Sequence, residues 1–176
     1  MARLIIVGGF AGAGKSTLAR RLGNTFSMPV YEIDALARSV QSSKDFHGAS
    51  HEAYGISFDL FFSLALIHLQ NNCSLILDQN MGREQTWKNV EKLRTSLPGV
   101  EITILLLDCP YELCLSRVAT RTDHPNQVEV TTEVLHSHKW KWDYLNENEF
   151  PEAIRVDATQ SQEAVFAEVC THLTPR

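Results

Sequence analysis

The run Gly9-Phe10-Ala11-Gly12-Ala13-Gly14-Lys15-Ser16-Thr17 joins three glycines, a lysine and two hydroxyls at the spacing Gly-x4-Gly-Lys-Ser. Polyphosphate binding needs these residue types. Several backbone N–H groups must converge on the phosphates, and an inward Cβ would block them, so glycine stands at Gly9, Gly12 and Gly14, with Ala13 and Thr17 completing the cradle. Lys15 would meet the β/γ oxygens as a point charge, and Ser16 would offer its hydroxyl to Mg²⁺. The apolar run Leu4-Ile5-Ile6-Val7 precedes the loop, and a helical pattern through Leu18, Ala19 and Leu22 follows it. Strand, glycine-rich turn and helix is the context in which this motif has its mechanism, the helix adding the positive end of its dipole.

Three carboxylates close other apolar runs: Asp34, Asp78 and Asp108. Phosphoryl transfer needs a group that aligns and deprotonates the accepting hydroxyl, and charge that holds Mg²⁺ and its waters. Asp34 is assigned as the base, and Asp78 to the metal-water shell or to the substrate. Asp108, followed by Cys109-Pro110, reads as a cap on the next helix. Arg117 and Arg121 stand four apart, so they are expected to share a helix face beside the irregular segment 122–132, over the transferring phosphoryl group or in solvent. Arg83, after Asp78-Gln79-Asn80, reads equally as a substrate contact or as a helix-start residue. His47, His51 and Tyr54 lie in a segment that could floor an acceptor pocket.

The elements that must position these groups follow from periodicity. Apolar runs near 4–8, 29–33, 74–77, 101–107 and 154–156 read as five strands. Helical patterns fall at 15–24, 35–40, from Phe58 through Phe61, Phe62, Ala65, Leu66 and Leu69, from Arg83, after Pro110, at 134–145, and after Ser161. Residues 41–56 and 122–132 read as loop or broken helix. Trp140, Trp142 and Tyr144 read as helix-packing residues rather than as base-stacking platforms. Strands alternating with helices give an α/β fold of three layers, a five-stranded parallel sheet with helices on both faces. Ligands of such sheets sit beyond the carboxyl ends of the strands.

Composition narrows the classes. A chain of 176 residues has the length of one domain, and its net charge of −5 disfavours a long nucleic-acid track. Four scattered cysteines without a CxxC pair read as buried apolar residues of a reducing compartment. No uninterrupted apolar run reaches the ~18 residues of a membrane span. The expectation is a cytoplasmic protein without a membrane partner.

With these residues in place, the chain resembles the P-loop kinases of the AAA_33 type, and within them the 5′-kinase domain of polynucleotide kinase. The points of likeness are the loop at 9–17, Asp34, Leu77-Asp78-Gln79-Asn80 before Arg83-Glu84, Asp108-x-Pro before Arg117-x3-Arg121, and Val156-Asp157 before the last helix. The resemblance implies a P-loop NTPase fold with strand order 2-3-1-4-5, a single kinase domain over 1–176, and an arginine-bearing lid at about 117–132. It also implies Asp34 as general base, and Asn80, Arg83 and Arg38 toward the substrate. Family members carry an arginine three residues after the base, where this chain has Ala37 and places Arg38 one later. Ala35 replaces a second acid. Both departures lie on the acceptor side, leave ATP use intact and turn the acceptor away from nucleic acid.

The expected activity is therefore transfer of the γ-phosphoryl group of ATP, with Mg²⁺, to a hydroxyl of a small acceptor such as a nucleoside or sugar. A 5′-hydroxyl polynucleotide kinase is the first rival. A regulatory nucleotide-binding ATPase without an acceptor is the second. No Asn-Lys-x-Asp motif for reading guanine is present.

Overall fold

Leu4, Ile5, Ile6 and Val7 are buried on both sides of one strand, which requires helices on both sides. The computed structural model, which describes residues 2–121 and 130–173, meets that requirement. In chain order its elements are β1 (Arg3–Gly9), α1 (Lys15–Phe26), β2 (Val30–Glu32), α2 (Ile33–Gln41), α3 (Ser50–Gln70), β3 (Leu75–Asp78) and α4 (Glu84–Ser96). There follow β4 (Glu101–Asp108), α5 (Tyr111–Thr120), α6 (Thr132–Ser137), α7 (Lys139–Glu147), β5 (Ala153–Asp157) and α8 (Gln162–Leu173).

The five strands are all parallel, in the order β2-β3-β1-β4-β5. One face of the sheet packs Ile5 and Val7 against Leu18 and Leu22 of α1, Cys114 of α5 and Val169 of α8. The other packs Leu4 and Ile6 against Phe61 of α3, Val90 of α4 and Leu145 of α7. The three layers are those expected from periodicity.

Local differences have physical causes. The polar stretch read as loop over 41–56 contains the start of α3, because the Glu52 carboxylate accepts the Ala49 N–H at 2.9 Å and caps the first turn. β2 stops at Glu32, so Asp34 sits in the first turn of α2 rather than at the strand end. The helix expected over 134–145 is two helices that meet at His138. Within α7, Trp142 packs toward Tyr111 and donates Nε1–H to the Cys109 carbonyl at 2.9 Å, whereas Trp140 is 48% exposed and is not a core residue. Asp108 forms an ion pair with Arg155 at 3.2 Å. Ser161 Oγ accepts the Ala164 N–H and caps α8 as expected.

One stretch modifies the reading of apolar runs. No continuous run is long, yet His51–Gln70 averages a mean hydropathy of 1.3 and by length and composition could cross a membrane. In the fold its Phe61, Ala65 and Leu69 lie against the sheet.

The connection between β3 and α4 docks on α7. A Cβ on Gly82 would stand 2.5 Å from the Lys141 carbonyl oxygen and 2.7 Å from the Lys141 Cβ. Gly82→Ala is therefore expected to force α7 outward and destabilise the fold by about 1–3 kcal/mol, a fall in Tm of roughly 3–10 °C on thermal melting. An unchanged Tm would show that the contact yields without cost.

Candidate active site

β1 delivers the chain to the loop in the middle of the sheet. Gly12 and Gly14 have φ of 88° and 97°, backbone that a side chain rarely adopts. A Cβ on Gly12 would lie 2.5 Å from the Cys114 carbonyl oxygen, so the loop packs directly on α5. Gly14 caps α1, whose first turn holds no acidic residue and no side-chain cap. The first N–H groups of that helix are thus aimed at an anion. Lys15 Nζ donates to the Phe10 carbonyl at 3.1 Å and lies along the loop.

The register of the sheet sets the carboxylates beside the loop. Asp78 pairs with Val7 of β1 on one side and with Glu32 of β2 on the other. It is only 5% exposed. Burial pushes its carboxyl up to about 6, against the Lys15 charge and the hydrogen bond with Ser16 that favour the anion. Glu32 was not singled out from sequence; Arg20 of α1 holds it with two bonds of 2.7 and 2.8 Å. A serine hydroxyl on a buried carboxylate is an all-oxygen donor pair that suits a hard cation such as Mg²⁺.

Asp34 accepts the Tyr54 hydroxyl at 3.2 Å. Of the segment expected to floor a pocket, Tyr54 reaches the carboxylate while His47 and His51 are exposed. Electrostatically, Asp34 acts on Asp78, on Arg121 and on Lys141. The positions are consistent with a carboxylate standing beside the loop, flanked by cations.

Those cations come from four places. Arg121 lies just past α5 in extended backbone, and its Nη2 donates to the Val130 carbonyl at 2.8 Å. Burial lowers its pKa, and Asp34 opposes the shift. Arg38, one helical turn after Asp34, has a buried Nη1 with no hydrogen-bond partner among the described residues. Arg83 is exposed, with Cζ 5.3 Å from the Trp140 ring centre. Asn80 does not reach outward: its Oδ1 accepts the Gly82 N–H at 2.7 Å and shapes the turn. Lys141, which sequence reasoning missed, brings a half-buried ammonium into the same neighbourhood. Its pKa is lowered to about 8, by burial first and by the Arg83 and Lys15 charges, with Asp34 opposing them.

Arg117 is placed elsewhere. Its Nη2 donates to the Ala158 carbonyl at 2.8 Å and its Nη1 to Cys109 Sγ at 3.6 Å. The two arginines do not share a helix face, because α5 ends at Thr120. Arg117 ties α5 to the segment after β5, and Arg121 is the one directed toward Asp34. Residues 122–129 of the expected lid lie outside the described residues. A cavity of about 600 Å³ opens at the carboxyl ends of β4 and β5, lined by Asp108, Cys109, Trp142, Asp157 and Thr159 among others. The sheet order puts it across the loop from Asp34.

The family described as an AAA domain, AAA_33, matches residues 4–142. No curated protein matches the chain. Among solved structures, a sugar kinase from Janibacter sp. HTCC2649 is similar at 21% identity, with a TM-score of 0.69 over 98% of this chain and 95% of that one. A structure from Chloroflexus aurantiacus J-10-fl gives a TM-score of 0.71 at 20% identity, covering 98% of this chain and 96% of the other. A gluconokinase from Sinorhizobium meliloti 1021 gives 0.64 at 17% identity, over 98% and 91% of the two chains. At these identities the likeness is one of fold.

Lys141 generates a stability prediction. Its folded pKa of about 8 lies below the ordinary 10.5, so the unfolded chain holds the proton more tightly and stability rises with pH between those values. At pH 7, Lys141→Met removes a half-buried charge and is expected to stabilise the protein by about 1 kcal/mol after allowance for solvent screening, roughly 2–4 °C in Tm. The gain should shrink as pH approaches 10. Thermal melts of both proteins at the two pH values check the sign.

Proposed function

Because the chain belongs to the AAA_33 family of AAA domains, we propose that it is a kinase transferring the γ-phosphoryl group of ATP to a hydroxyl of a small-molecule acceptor. The observation that supports this reading is Asp34, a carboxylate in the first turn of α2 that Tyr54 hydrogen-bonds and whose charge acts on Asp78, Arg121 and Lys141. An ATPase that only binds and hydrolyses nucleotide has no need of a base on the acceptor side. The names of two similar folds, a sugar kinase and a gluconokinase, support a small hydroxylated acceptor.

The division of labour follows from the sheet. Loop amides, Gly9 to Thr17, and Lys15 hold the β- and γ-phosphates at the centre. The nucleoside end extends toward the cavity beyond β4 and β5, beside Arg117, since Asp34 occupies the other side. Ser16 and Asp78 would hold Mg²⁺, which when bound neutralises charge on the phosphate oxygens. The acceptor hydroxyl lies between Asp34 and the γ-phosphorus. As its oxygen attacks, its proton passes to the Asp34 carboxylate, the β–γ bridging bond breaks, and ADP leaves with the bond electrons. Tyr54 fixes the rotamer of Asp34, and Arg121 stabilises charge on the transferring group.

Acceptor-dependent ADP release across sugars, sugar acids, nucleosides and a 5′-hydroxyl oligonucleotide tests the reading. On the best acceptor, Asp34→Asn is expected to lower kcat by about 10²–10⁴-fold with the KM for ATP unchanged. Turnover equal to wild type would remove Asp34 from the base role, and transfer to the oligonucleotide alone would point to the polynucleotide kinase. Asp78→Asn is expected to raise the Tm of the nucleotide-free protein, since a buried carboxylate is lost, and to abolish the extra stabilisation that Mg·ATP gives over ATP alone. Differential scanning fluorimetry with and without Mg²⁺ reads both effects.

A further inference from the structure

We propose that the acceptor is itself an anion, a hydroxylated molecule bearing a carboxylate or a phosphate monoester, and that Lys141 together with Arg83 and Arg38 grips that charge. The proposal rests on the kinase reading above and names the substrate class of the same site.

Three cations bear on this region: Arg38 follows Asp34 by one turn of α2, Lys141 of α7 feels the Asp34 charge, and Arg83 of the β3–α4 connection lies with Lys141 at the Trp140 ring. Among the described residues none of the three makes an ion pair. Elsewhere the fold neutralises charge near the loop, as Arg20 does for Glu32. Here it does the reverse. Arg83 and Lys141 are kept together by the packing of Gly82 on the Lys141 backbone and by Arg83 and Lys141 both lying near the Trp140 ring, at 5.3 and 5.5 Å. Two cations held close with only the Asp34 charge between them are destabilising until a ligand supplies more opposite charge. The Arg38 Nη1, buried and without a hydrogen-bond partner among the described residues, is a second donor awaiting an acceptor.

The position of Lys141 separates this role from binding the nucleotide. Arg83 follows β3 and Gly82 packs on Lys141, so the pair lies on the β3 side of the loop, the side of the β2–α2 junction that carries Asp34 and not that of the cavity beyond β4 and β5. The triphosphate already has the loop amides and Lys15. A neutral polyol offers hydroxyls, which satisfy donors but leave two cations uncompensated. A carboxylate or phosphate oxygen does both.

The test uses the full-length chain and matched acceptors: a polyol, its terminal carboxylic acid and its terminal phosphate ester. ADP release should favour an acidic member over the neutral one by about tenfold or more, the value of one charge-assisted hydrogen bond. Whether the carboxylate or the phosphate arm responds identifies the anion. Lys141→Met should raise the KM for the acidic acceptor about tenfold while leaving kcat, the KM for ATP and the neutral acceptor nearly unchanged. Lys141→Arg should restore the preference. Lys141 is faced by Asp34 of α2, Lys15 of α1 and Arg83, with His138 at its own helix start. Accordingly kcat/KM for the acidic acceptor should fall above about pH 8 in the wild type and not in Lys141→Arg.

Equal use of neutral and acidic members, or an equal loss on all of them in Lys141→Met, overturns the proposal. Isothermal titration of the same acceptors in the presence of a non-hydrolysable ATP analogue keeps the two readings apart. Acid binding that depends on Lys141 without turnover upholds the anion site and defeats the kinase. Turnover confined to neutral acceptors does the opposite.

Discussion

The parallel pairing of β1 with β3 and β4 is the constraint on which the rest depends. Val7 lies beside Asp78 on one side and Leu105 on the other, so the chain leaves β1 at the middle of the sheet. A loop emerging there has carboxylates from β3 and from the β2–α2 junction on one side and an open cavity on the other. A slip of one residue would turn Ile5 and Val7 into the layer that holds Leu4 and Ile6, and both cores forbid it. Burial of the strands therefore fixes the distance between phosphate loop and carboxylates without any polar contact having to do so.

Charge is arranged on that frame in two opposite ways. Near the glycine-rich loop the acids are held by partners: Glu32 by Arg20, and Asp78 by Ser16 and Lys15. Among the described residues Asp34 acts on the cations Arg121 and Lys141, and Lys141 is driven toward neutrality by burial and by its neighbours. A folded chain tolerates such an imbalance only where packing imposes it. Here the imposing contacts are apolar or backbone in kind: Gly82 under α7, Trp87 stacked on Phe150 with ring centres 4.0 Å apart, and Leu145 in the core.

The two arginines of α5 show how far spacing can be trusted. Four-residue spacing predicts a common face only while the helix continues. It ends at Thr120, so Arg117 turns to the Ala158 carbonyl and Arg121 to that of Val130. Trp140 and Trp142 diverge for a related reason, since the break at His138 resets which face of α7 meets the sheet.

The sequence by itself determined the glycine-rich loop motif and the alternation of strands with helices, and it marked Asp34 and Asp78 as candidate acids. These rest on local physics: positive φ that glycine alone adopts easily, and the periods of strand and helix; of the two acids only Asp78 ends a buried strand. Only the tertiary structure decided which cations meet Asp34. Lys141 enters the site because a helix end and a glycine far apart in the chain come into contact, and no periodicity encodes that meeting. Glu32 joins by strand register, and Arg117 leaves because one carbonyl after β5 is within its reach.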